Sequence, residues 1–170
     1  ERAQALIDPR GLVALLTPSG IAADKGAAEF FRSISTSGRL AALLDFENRN
    51  NPDGSFFPDV DSRFKFSVIV FGGKARRFER SRCAFYLSDV GQTLDPARVL
   101  DLTAGDFALV NPNTGAAPIF RSRRDAEITT RIYRGNPVLV RHGALNKSTN
   151  QRTESRVWPL KYVRMFDMTN

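Results

Sequence analysis

Along the chain, apolar runs of strand length alternate with polar, turn-rich stretches. "GLVALL" at 11–16 is an uninterrupted run that gives way to "TPSG", which predicts a fully buried strand. Asp24 follows as a prospective helix cap. Behind it Ala27, Phe31 and Ile34 recur at i, i+4 and i+7, one face of a helix that Gly38 stops. "LAALLDF" at 40–46 is the next buried strand. Strand, helix, strand at this spacing predicts a parallel crossover and hence an α/β sheet. "ENRNNPDGSFFPDVDS" is a long polar loop whose Asn, Gly, Pro and Asp content opposes regular structure. "RFKFSVIVF" returns as a strand rich in β-branched and aromatic residues, with Phe64 and Phe66 on one face and expected in the core. The basic connector "KARRFERSR" leads to another short strand, "CAFYL".

"VLDLTAGD" at 99–106 and "NPNT" at 111–114 together look like a cofactor turn and a damaged Asn-Pro-Pro-Tyr loop. The two readings exclude each other, because parallel strands need a crossover of about a dozen residues and only a handful separate Gly105 from Asn111. A glycine-rich binding turn also needs more than the one glycine present. Thr103 with Asp106 three residues on is instead a capping box opening a short helix. Ser122 and Asp125 predict a second box. On a helix over 123–134, Arg123, Arg124, Arg131 and Arg134 fall within about 100° of one another, with Glu127 among them. Ala126, Ile128, Ile132 and Tyr133 share the opposite side, so one face is expected to pack and the other to meet phosphates.

Charge sharpens that expectation. Of 25 Lys/Arg and 18 Asp/Glu, residues 1–118 hold 14 of each, while 119–170 hold 11 and 4, which is the whole net charge of +7. A neutral front and a basic rear suggest a nucleic-acid-facing region. Lys147, Arg152 and Arg156, in a polar tail that turns apolar around Trp158 and Tyr162, suit backbone contacts. One cysteine, Cys83, excludes an internal disulfide and fits a reducing cytoplasm. One histidine, His142, leaves a zinc site or a histidine triad without partners. No apolar run reaches membrane-spanning length. The sequence opens without Met on what reads as the end of a helix, "ERAQALIDPRGLVALL", as a piece of a larger protein would.

"LLTPSGIAADKGAAEFFRSI", "LAALLDFENR", "FFPDVDSRFKFSVIVFGG" and "NPNTGAAPIFRSRRDAEITTRIYR" occur in that order. Together they resemble the C-terminal half of the catalytic domain of adenine-specific DNA methyltransferases, of the kind found in restriction-modification and phage-defence systems. Residues 11–134 carry the likeness. It implies, over 1–90, the C-terminal part of a Rossmann-like methyltransferase sheet, with parallel crossover strands plus an antiparallel hairpin strand. Over 91–170 it implies a connector and the beginning of a DNA target-recognition region. The intact enzyme would use S-adenosylmethionine and act on double-stranded DNA. The family's Phe-x-Gly-x-Gly cofactor turn and (Asn/Asp/Ser)-Pro-Pro-(Tyr/Phe) loop are absent here, so the chain alone is expected to be inactive and to need the N-terminal half that carries them.

The family extrudes the target adenine and stacks it between aromatics. Phe57, in Phe57-Pro58 with Phe56 beside it, matches the stacking position in the loop before the hairpin strand. Thr17, Pro18 and Ser19, at a strand's carboxyl end, are expected to rim the cleft, and Asp45 and Glu47 to act as rim or capping groups rather than metal ligands. Lys74, Arg76, Arg77 and Arg121 join the four helix arginines as candidate DNA contacts. The sheet edge left bare by the missing half would favour self-association. A different class remains open at this point: a self-contained, non-catalytic nucleic-acid-binding or assembly module.

Overall fold

The computed structural model describes residues 2–49, 54–146, 148–149 and 151–160, the backbone alone at 144 and 145. Lys147 and Tyr162 lie outside the described residues. The fold is a mixed α/β arrangement around a five-stranded sheet.

After a short helix α1 (Arg2–Leu6), strand β1 (Leu12–Pro18) leads through two 3-10 turns into helix α2 (Ala28–Ser35). Asp24 makes no side-chain cap, and the α-helix begins only at Ala28. Phe31 and Ile34 are fully buried, as their spacing requires, and Gly38 leaves the helix at φ +71°. Strand β2 (Leu40–Glu47) follows, then β3 (Lys65–Gly72) and β4 (Ser81–Leu87). The strand order is β1-β3-β2-β4-β5, where β5 is Leu100–Leu102. So β1 and β2, joined through α2, run in the same direction with antiparallel β3 inserted between them. The hydrogen-bonded parallel pair is β2 with β4, and β5 closes the far edge antiparallel.

That order corrects the reading of β1. Its apolar run suits a strand covered on every side, yet it is an edge strand, and Leu12, Leu15 and Leu16 are exposed. Nothing among the described residues pairs with its outer side.

One sheet face is covered by helices. Leu43, Ile69, Phe71, Cys83 and Phe85 meet Phe31 and Ile34 of α2, and the same core runs on through Leu100, Phe107, Phe120 and Ala126. Phe107 belongs to α3 (Ala104–Val110) and Ala126 to α4 (Arg123–Gly135). The opposite face is smaller. There Phe46, Ala84, Leu87 and Val99 pack with Phe56 and Phe66. A hairpin of β6 (Val140–Asn146) and β7 (Gln151–Arg156) stands apart from the main sheet, tied by Asn113, which donates to the Val140 carbonyl and accepts from the His142 amide.

β4 carries an irregularity near its carboxyl end. Leu44 faces Ala84, but Phe46 faces Leu87, so three residues of β4 span two of β2. The extra residue is Tyr86, held at φ +56° and alone among the described non-glycine residues in having a positive φ.

Candidate nucleic-acid interface

The carboxyl ends of β1, β2 and β4 meet the amino end of β3 at one end of the sheet, the position where open α/β sheets take ligands. The loop between β2 and β3 folds over this end because Asn48 pins it. Asn48 is 1% exposed; its Nδ2 donates to the Phe57 and Val60 carbonyls, both at 3.0 Å, and its Oδ1 accepts from the Phe57 amide at 2.9 Å. The loop's aromatics then divide. Phe56 turns inward, edge-on to Phe46 and Phe66. Phe57 rests edge-on against Phe66, centroids 5.1 Å apart, and stays 37% exposed.

Phe57 therefore overhangs an apolar cavity of about 280 Å³, whose wall includes Leu16, Thr17, Pro18, Phe64 and Lys65. Thr17 and Pro18 share this cavity with Phe57, while Ser19 lines the neighbouring one. Phe64 is not core. It precedes β3 and is 63% exposed, because the loop turns it to the cavity mouth instead of the sheet face.

The neighbouring cavity, about 120 Å³, contains Ser19, Asp45, Ser67 and Tyr86. Asp45 is 7% exposed and accepts from Ser67 Oγ at 2.8 Å. Burial raises its carboxyl above the ordinary range, with Ser67, Lys65 and the Tyr86 amide pulling the other way and Glu47 adding to the rise. Glu47 itself is half-buried and pairs with Lys65 at 3.1 Å and Arg49 at 3.7 Å. Among the described residues no cluster of acidic, His or Cys side chains could hold a metal. Cys83 is fully buried, and burial pushes its thiol up, which keeps it unreactive.

The arginines occupy three places. Lys74, Arg76 and Arg77 follow β3 at its carboxyl end, a strand length of roughly 23 Å from the Phe57 cavity. There the Arg76 and Arg77 guanidinium groups also donate to backbone carbonyls of Arg10, Lys74 and Arg76. Arg123, Arg131 and Arg134 line a groove of about 380 Å³ between β5 and α4, together with Arg80, Asp101 and Asp106. Arg123 donates to the Pro96 and Val99 carbonyls, and Arg134 lies 3.6 Å from Asp106. Arg124 pairs with Glu127 at 3.7 Å on the exposed side. Arg121 stands apart from the groove, its Cζ 4.6 Å from the Tyr86 ring centroid.

α4 begins as expected at Ser122, whose Oγ accepts from the Asp125 amide, without the reciprocal bond. Its packed side differs from the expected one. Ala126 is buried and Tyr133 half-buried, but Ile128 and Ile132 are exposed, because the helix turns Ala126, rather than the isoleucines, to the core. Trp158 is 44% exposed. Thr103 and Asp106 make the full capping box of α3, so "LTAGD" is a helix start after an antiparallel strand. The asparagines of "NPNT" bond the backbone, Asn111 locally to Ala116 and Asn113 across to the β6 backbone.

Three residues at this end carry no periodic signal in the sequence: Asn48, Tyr86 and Arg98. Arg98 Nη2 donates to the Phe85 and Tyr86 carbonyls at 3.1 and 2.7 Å and so holds the irregular turn from behind. A lone Asn directly after a buried strand was the one available hint for Asn48. Searched against protein-family models the chain matches none, and no curated protein matches it.

Proposed function

We propose that the chain is part of an S-adenosylmethionine-dependent adenine-specific DNA methyltransferase, contributing a portion of the base-flipping pocket and a DNA-binding surface. One observation carries the reading: a half-exposed Phe57, fixed through Asn48, overhangs an apolar cavity at the carboxyl ends of similarly directed strands. An extruded purine needs that combination of a fixed aromatic face and an apolar slot. The sheet supports it with an antiparallel strand set among parallel-running ones and with an apolar edge strand free to pair. S-adenosylmethionine and the Pro-Pro-aromatic loop would be held by the half of the enzyme that carries those motifs, since the cavity end has no glycine-rich turn among the described residues. Here the chain's own work is to stack, to exclude water and to bind phosphate.

The arginine-lined groove along α4 favours a second reading, a non-catalytic nucleic-acid-binding module. The two separate in one experiment. The whole reading frame is expressed in a host free of adenine methylation, and N6-methyladenine in the host DNA is measured by mass spectrometry. The methyltransferase reading expects methylation that falls about tenfold or more in Phe57→Ala, the scale of losing one base–aromatic stack. Full methylation in Phe57→Ala removes the stacking role. No methyladenine, together with steeply salt-dependent duplex binding by the chain, leaves the binding module.

A further inference from the structure

The Tyr86 ring is attended by two cations: Lys65 Nζ lies 4.2 Å and Arg121 Cζ 4.6 Å from its centroid. Tyr86 is also the residue held in the left-handed region, a conformation that is strained for a tyrosine and persists only where its surroundings enforce it. Arg98 does so by gripping the carbonyls of 85 and 86, and the buried Asp45 lines the same cavity as Tyr86. Glu47 pairs with Lys65 at 3.1 Å. No acidic side chain lies within ion-pair distance of Arg121 among the described residues, although Asp125 lines the same open groove of about 590 Å³.

Position gives this arrangement its meaning. Lys65 lines both the Phe57 cavity and the Asp45 cavity, and Tyr86 and Arg121 continue the wall into the open groove that reaches Tyr133. Aromatic and basic groups thus alternate from the cavity outwards: Phe57, Lys65, Tyr86, Arg121, Tyr133. Such alternation suits an unpaired strand, whose bases stack and whose phosphates seek fixed cations.

We propose that Lys65 and Arg121, positioned by Tyr86, clamp the backbone phosphate of an unpaired nucleotide whose base enters the Phe57 cavity. The clamp rests on the base-flipping reading of that cavity and adds the group that would hold the nucleotide out of the helix.

The test is fluorescence anisotropy of the 170-residue chain with two labelled probes, a flush duplex and the same duplex carrying one unpaired adenosine, over a range of salt. The wild-type chain is expected to bind the bulged probe more tightly. Arg121→Gln, an exposed position, is expected to reduce that preference about tenfold and to lower the salt slope by roughly one for the bulged probe alone. Tyr86→Gly, which tolerates the same backbone conformation, should reduce the preference too, with circular dichroism confirming the fold. Equal binding of both probes by the wild type, or an unaltered preference in Arg121→Gln, overturns the clamp. Because no cofactor enters this measurement, the two ideas fail separately. A bulge preference lost in Arg121→Gln without any methylation by the parent sinks the methyltransferase reading alone. Methylation by the parent with an unaltered Arg121→Gln preference sinks the clamp alone.

Discussion

Asp45 is a carboxylate almost sealed from water, and its chemistry follows from that. Burial opposes its ionisation more than Ser67, Lys65 and the Tyr86 amide favour it, so the folded chain holds the proton more tightly than the unfolded chain. Its contribution to stability therefore falls as pH rises from the ordinary carboxyl value of 3.8 through the raised one. Asp45→Asn, neutral throughout, is expected to raise Tm at pH 7, with the gain vanishing in acid below that ordinary value. Thermal melts of both proteins across this range check it, and a lower Tm for the variant at neutral pH would mean that Lys65 and Ser67 outweigh burial. Individual side chains were unevenly legible in the sequence. Phe31 and Ile34 follow from helical spacing and are fully buried. Phe64 misled, because alternation along a strand applies only once the strand has begun, and β3 begins one residue later.

The loop between β2 and β3 is the element on which the Phe57 cavity depends. Three side-chain hydrogen bonds from one asparagine hold it. Each is worth about 0.5 to 1.5 kcal/mol net, and more where a buried partner is stranded. Asn48→Ala is expected to cost about 2 kcal/mol or more in urea unfolding and to speed hydrogen exchange at the Phe57 amide. A variant as stable as the parent, with that amide still protected, would show the loop to be held by its phenylalanines alone. Strands and helices were readable here because their periodicity is local. The asparagine was not, because its partners sit nine and twelve residues away in a segment without period. The bulge at Tyr86 was hidden for a related reason: "CAFYL" reads as an ordinary strand, and only the register against β2 shows the additional residue.

At the scale of the whole molecule, the strand order could not be read from the chain. An apolar run reports that a strand seeks cover, and it is silent about which neighbour supplies it. β1 lies at the sheet edge with seven uncharged residues, the kind of edge that recruits another strand. Concentration-dependent association of the chain is expected, and Ala14→Lys, which sets a charge on the exposed middle of β1, should abolish it in sedimentation velocity. Association that survives the lysine would place the contact elsewhere.

Tyr86 has a different bearing on the molecule as a whole. Being supernumerary in its strand, it can be removed with the β2–β4 ladder kept, though Arg98 would lose one of its two carbonyls: Leu87 would advance one place and still stand opposite Phe46, in the ladder that a regular parallel pair requires. A loss of three nucleotides from the gene would thus erase the paired-cation wall while leaving the sheet intact and free of a strained residue. Gain or loss of this feature is a single insertion or deletion event, which makes chain length between Cys83 and Leu87 a direct marker of whether a related sequence carries it.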